Sequence, residues 1–176
     1  MTASLSRRRF FHLAGLAALA FPLRGWAALD TSGGDEVVIL NDIHLTGVPE
    51  DKISANARDD DDHLRTAVQK ILALPRKPAA VIINGDLALS VGTAADYAVV
   101  RELIAPLRDA GIPVHLTLGN HDVRDVFTQA FPEMKSASSL KEPRHNGLID
   151  LPSTRLILLD TLDQTPGPAG TLGAEQ

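Results

Sequence analysis

The 176-residue sequence contains no cysteine. Disulfide frameworks, thiolate metal sites and thiol catalysis are therefore excluded, and any bound metal must take nitrogen and oxygen ligands. Positive charge is also scarce, because 17 Lys and Arg stand against 22 Asp and Glu and leave a formal net charge of -5. This balance argues against a protein that binds nucleic acid by neutralising its phosphates, so we expect no nucleic-acid partner.

Long hydrophobic runs are missing as well. The apolar stretch at residues 13–23 is about half as long as the ~20 residues that a membrane-spanning helix needs, so we expect no permanent membrane anchor. With 44% hydrophobic and 22% charged residues and no low-complexity tract, the composition is typical of a globular protein. The length suits a single domain with a sizeable core.

The first residues have the order of an export signal. Three arginines at 7–9 precede two phenylalanines, the apolar stretch follows, and small residues lie around Ala27. Paired arginines before phenylalanine resemble the twin-arginine signal of bacteria, with an ordinary secretory signal as the alternative. We predict an export signal at residues 1–27, recognised by the twin-arginine export machinery. The mature domain would be residues 28–176, in the periplasm or outside the cell.

Strands and helices alternate in the first half of this domain. Apolar runs rich in β-branched residues predict buried strands at residues 37–40, 80–83 and 113–118. Apolar stripes at helical spacing separate them: Leu64, Val68, Ile71 and Leu72 in the first, and Tyr97, Val100, Leu103, Ile104 and Leu107 in the second. This alternation predicts a parallel sheet with right-handed crossovers, and therefore an α/β fold. Residues 145–151 and 155–160 predict a hairpin.

Each predicted parallel strand ends in a polar cluster. The clusters are Asp42-Ile43-His44, Asn84-Gly85-Asp86 and Gly119-Asn120-His121-Asp122. Because the carboxyl ends of parallel strands lie at one edge of a sheet, we expect the three clusters to converge there. Aspartate, histidine and asparagine supply the oxygen and imidazole ligands that suit manganese, iron or zinc. An isolated Asp-x-His or Gly-Asp pair is commonly an ordinary loop, but three such clusters in order predict a functional site.

The same three clusters resemble the calcineurin-like metallophosphoesterase superfamily. Shorter segments, Asp122-Val123-Arg124, Asp96-Tyr97 and residues 172–176, look like its bacterial branch similar to class III cyclic-nucleotide phosphodiesterases. The resemblance covers about residues 37–176. It implies a layered α/β sheet with flanking helices and a hydrolase of small-molecule phosphate esters, most of all phosphodiesters.

The resemblance also implies a dinuclear metal centre. Asp42 and His44 would bind the first ion, Asp86 would bridge both, and Asn120 would bind the second. The two divalent or trivalent ions would be Mn, Fe or Zn. Two ions about 4 Å apart acidify a bridging water to hydroxide and clamp the phosphate for in-line attack.

The same comparison assigns catalytic roles to the last two residues of the third cluster. His121 would lie beside the substrate phosphate, where it would stabilise developing charge or protonate the leaving alkoxide. Its competing role is that of a brace behind the metal ligands. Asp122 would orient it.

The family pattern continues with histidines that this sequence does not contain. His63, His115 and His145 follow no matching motif, so we do not expect them to replace the missing ligands. From this we expect a chain truncated at its C-terminus that lacks the second half of the sheet. The alternative function is therefore a non-catalytic or inactive fragment that retains part of the metal site.

Features outside the motifs have weaker functional signals. Arg124 could meet an anionic substrate or form a structural ion pair. Asp160 is expected to be an exposed aspartate at the end of a strand. The stretch at residues 133–146 is the candidate for an element that covers the metal edge and selects the substrate.

Overall fold

The computed structural model describes residues 35–48, 59–134, 136, 144–174 and 176. The predicted export signal at residues 1–27 lies outside the described residues, as does most of the predicted covering element at residues 133–146. Among the described residues, no helix has the length and apolar character needed to cross a membrane.

The central element is a parallel sheet of three strands. They are β1 (Val37–Asn41), β2 (Ala80–Asn84) and β3 (Val114–Leu116), in the spatial order β1-β2-β3. The central strand β2 is almost wholly apolar and buried until its last residue, Asn84. All three predicted strands are confirmed, although β3 is shorter than the predicted run.

Helices pack on one face of the sheet, and the first two of them connect successive strands. They are α1 (Asp59–Leu72), α2 (Ala94–Asp109) and α3 (Arg124–Ala130). In α2, Thr93 and Asp96 form a reciprocal capping box that satisfies the first backbone N–H groups. Both predicted stripes pack into the core with one correction. Leu72, the last residue of α1, is 41% exposed. The short helix α3 was not predicted.

The predicted hairpin covers the opposite face of the sheet. Strands β4 (Gly147–Asp150) and β5 (Arg155–Leu158) pair antiparallel as a separate two-stranded sheet. Its inward residue Ile149 packs with Ala80 and Ile82 of β2. The described residues therefore form three layers, helices, parallel sheet and hairpin, and the predicted α/β class with flanking helices is confirmed. The carboxyl ends of β1, β2 and β3 lie together at one edge.

Candidate metal centre

Three residues from two of the polar clusters meet at this edge. Asp42 and His44 follow β1, Asp86 follows β2, and one ligand atom from each lies within 4.8 Å of the others. The main-chain N–H of His44 donates to the carbonyl oxygen of Asp86 at 3.0 Å, which holds the two loops side by side. Parallel pairing of β1 with β2 thus brings together residues that are more than forty positions apart in sequence.

The backbone at these three residues is strained. Asp42, His44 and Asp86 have φ values of 51°, 45° and 45°, and no other non-glycine residue in the described ranges has a positive φ. The left-handed region costs an ordinary residue roughly 1–2 kcal/mol, although aspartate tolerates it better. Strain of this kind concentrates at functional sites, where the surrounding structure holds side chains in a required direction.

The donor atoms at this position fit a metal ion. Nε2 of His44 lies 4.0 Å from Oδ2 of Asp86, and Nδ1 of the same ring is buried without a hydrogen-bond partner. A buried polar atom with no partner is unfavourable, and a cation coordinated by Nδ1 itself would supply that partner. Two carboxylates and an imidazole form the oxygen and nitrogen donor set that manganese, iron and zinc accept.

Asn120 lies in the same cleft as Asp42 and Asp86. The cleft measures about 290 Å³, and residues 159–170 supply the wall that faces these side chains. Gly119 allows the loop after β3 (the third loop) to approach the loop after β2 (the second loop). A Cβ at this position would overlap the backbone and carboxylate of Asp86. The structure thus places all four predicted metal ligands at one edge of the sheet.

His121 is fixed beside the cluster by its backbone and by its ring. Its main-chain N–H donates to Oδ1 of Asp86 at 3.0 Å. Nδ1 of the ring lies 2.9 Å from the carbonyl oxygen of Leu89, so in this arrangement Nδ1 carries the proton and donates. The ring lies edge-on to that of His44 with centroids 5.0 Å apart. In the neutral ring, Nε2 is therefore the acceptor.

Asp122 lies behind the cluster and is wholly buried. Its carboxylate accepts from the backbone N–H groups of Leu87, Ala88 and Gly119 and from the hydroxyl of Tyr97. Burial raises the pKa of Asp122, and these hydrogen bonds oppose the rise. In the described part of the chain its carboxylate does not bond to the His121 ring, which the Leu89 carbonyl orients instead. Any influence of Asp122 on catalysis has to act through the loops.

The remaining histidines of the described ranges lie outside the cluster, although His63 lines a cleft with Asp42. Nε2 of His145 is 3.0 Å from the carbonyl oxygen of Leu116, and its ring lies against Phe127. Desolvation lowers the pKa of both His115 and His145. His63 is exposed on α1. As the sequence indicated, none of the three joins the cluster of Asp42, His44 and Asp86.

Asp160 corrects a prediction from the sequence. It is fully buried rather than exposed, and Arg124 binds both of its carboxylate oxygens at 2.8 and 3.0 Å. Burial alone would raise the pKa of Asp160, but the guanidinium and the N–H groups of His145 and Leu162 hold it below its usual value. Of the two roles considered for Arg124, the structure shows the ion pair.

Sequence reasoning missed two parts of the site. Leu159, Thr161, Leu162 and residues 168–170 line the cleft, which the sequence did not indicate. Tyr97 was assigned only to the apolar stripe of its helix, yet its hydroxyl bonds to Asp122. The hydroxyl of a buried tyrosine usually finds a hydrogen-bond partner, and that tendency was the available signal.

The chain matches a family of known proteins. A family model described as calcineurin-like phosphoesterase matches residues 36–162, which include β1 to β5 and every candidate site residue. No curated protein matches the chain significantly.

Proposed function

The chain belongs to the calcineurin-like phosphoesterase family, and on that premise we propose that it hydrolyses phosphodiesters at a centre of two metal ions. The family makes the chain a metal-dependent hydrolase of phosphate esters. The observation that carries the proposal further is the meeting of Asp42, His44 and Asp86 within 4.8 Å, next to a buried ring nitrogen that has no other partner.

In this proposal, the ligands divide between the ions. Asp42 and His44 would hold one ion, Asp86 would contribute to both, and Asn120 would hold the other. The ions would neutralise the phosphoryl oxygens and lower the pKa of a water molecule so that it can attack phosphorus. Strain at the three left-handed residues fixes the direction of their side chains before any ion arrives, which reduces the reorganisation needed for binding.

His121 is the proposed acid for the leaving group. The Leu89 carbonyl holds Nδ1 as a donor, so the proton that the ring gains and loses is the one on Nε2. A protonated ring beside the substrate would stabilise the charge that develops on the phosphoryl group. It would then pass the Nε2 proton to the departing alkoxide oxygen.

The finer assignment rests on sequence. We propose that the chain is similar to the bacterial class III cyclic-nucleotide phosphodiesterases, on the segments Asp96-Tyr97 and Asp122-Val123-Arg124.

We also propose that residues 1–27 direct export by the twin-arginine route, which places the enzyme outside the cytoplasm. Fractionation of cells that express the full chain, with and without an Arg7→Lys, Arg8→Lys, Arg9→Lys replacement, tests the route.

A turnover assay tests the proposed activity. The full chain is incubated with Mn²⁺ and either bis(4-nitrophenyl) phosphate or 4-nitrophenyl phosphate. We expect manganese-dependent turnover with preference for the diester, and a loss of about 10²–10⁴-fold in His121→Gln. The control is Asp150→Asn, which removes an exposed carboxylate paired with Arg155 and should leave turnover unchanged. Metal binding without turnover would favour the non-catalytic alternative.

A further inference from the structure

One carboxylate behind the cluster holds two of the site's loops together. Oδ2 of Asp122 accepts from the N–H of Leu87 at 3.2 Å and from the N–H of Gly119 at 2.9 Å, while Oδ1 accepts from Ala88 at 3.3 Å. Leu87 and Ala88 directly follow Asp86, and Gly119 directly precedes Asn120. The position of this carboxylate therefore helps to set how far apart the second and third loops lie, together with the bond from the N–H of His121 to Asp86.

A phenol hydroxyl fixes that carboxylate in turn. The hydroxyl of Tyr97 donates to Oδ1 of Asp122 at 3.2 Å and accepts from the N–H of Val123 at 2.9 Å. Tyr97 and Asp122 are both fully buried. The tyrosine ring lies edge-on to Phe127 and Phe131 with centroids 5.8 and 6.2 Å away. Helix α2 thus carries a rigid donor into the back of the site.

We propose that Tyr97 is a positioning residue which, through Asp122, sets the distance between Asp86 and Asn120 and thereby the affinity of the site for metal. The proposal rests on the proposed function of the site. Neither residue touches a metal or the substrate. Without the hydroxyl, Oδ1 loses its side-chain donor and the N–H of Val123 loses its acceptor, so the carboxylate is less firmly placed. Groups behind metal ligands commonly change affinity by about 10–100-fold.

The test measures metal binding rather than activity. Mn²⁺ is titrated into the full chain, and bound manganese is followed by electron paramagnetic resonance, whose line pattern distinguishes isolated from paired ions. We expect Tyr97→Phe to weaken binding about tenfold and to reduce the signal of paired ions. The matched control is Phe127→Leu, which loosens the same aromatic cluster and keeps the hydroxyl, and it should bind manganese as the wild type does.

Two outcomes would overturn the proposal: equal affinity in Tyr97→Phe and wild type, or equal losses in Tyr97→Phe and Phe127→Leu. A second measurement needs no variant. In the metal-free wild type, amide hydrogen exchange at Leu87, Ala88, Gly119 and Val123 should be as slow as in β2, and rapid exchange there would overturn the proposal. If the wild type binds no manganese, the proposed function fails while the exchange rates still decide whether the two loops are held.

Discussion

The main-chain N–H of His121 donates a 3.0 Å hydrogen bond to Oδ1 of Asp86. The two oxygens of Asp86 therefore have different neighbours, because Oδ2 lies 4.0 Å from Nε2 of His44. One carboxylate contacts the third loop and the first loop at once. Its position at the end of the central strand places Asp86 between the loops that follow β1 and β3.

Replacing His44 with a residue that tolerates its left-handed backbone conformation should stabilise the fold. His44→Gly places at φ 45° the residue that enters the left-handed region without steric cost, and it removes the unpaired buried Nδ1. We expect the free energy of unfolding in EDTA to rise by about 1 kcal/mol while Mn²⁺ affinity falls. Urea denaturation measures the first effect. Asp150→Asn on the exposed hairpin should leave manganese affinity unchanged and alter stability by less than about 1 kcal/mol, and a loss of stability in His44→Gly would contradict the strain argument.

Gly119 should be intolerant of a side chain because of its neighbour. A Cβ there would overlap Asp86, so Gly119→Ala must push the second and third loops apart. We expect lower stability together with weakened manganese binding. Gly111→Ala provides the control, since the φ of 75° at this position would strain an alanine but no atom lies within 4 Å of the new Cβ. That variant should lose about 1 kcal/mol and keep its metal affinity; metal loss in both variants would mean that crowding is not the cause.

The buried pair of Arg124 and Asp160 should make stability depend on acid pH. Because the folded pKa of Asp160 lies below its ordinary value, the pair contributes fully above about pH 4 and its contribution declines as pH falls through the folded pKa. We expect Asp160→Asn to lose about 3 kcal/mol at pH 7 and progressively less below pH ~4. Asp150→Asn, from an exposed pair, should change stability by less than about 1 kcal/mol. A pH-independent difference for Asp160→Asn would contradict the assignment.

The sequence allowed the strands and the meeting of the site residues to be predicted, because both depend on local patterns. Apolar runs gave β1 and β2, and parallel pairing requires their polar ends to share an edge. Helix α3 was not predicted, because seven residues are too few for an apolar stripe to repeat at helical spacing. The burial of Asp160 was not predicted either. Its partner Arg124 is 36 positions away, and no local sequence pattern indicates that the two residues pair.

Backbone partners were the least predictable part of the site. The carbonyl of Leu89 orients the His121 ring, yet every residue has a carbonyl and no sequence pattern distinguishes this one. The family resemblance implied Asp122 as a partner that would orient the ring. In the structure its carboxylate oxygens accept from backbone N–H groups and from the hydroxyl of Tyr97 instead.

The most direct test of the account is calorimetric titration of Mn²⁺ into the full chain. The wild type and Asp150→Asn should bind manganese with equal affinity, because Asp150 is exposed on the hairpin and remote from the cluster. Asp86→Asn should bind at least about tenfold more weakly, since it removes a negative charge from the cluster of Asp42, His44 and Asp86. Absence of binding in the wild type, or equal binding in Asp86→Asn, would contradict a metal centre at this edge of the sheet.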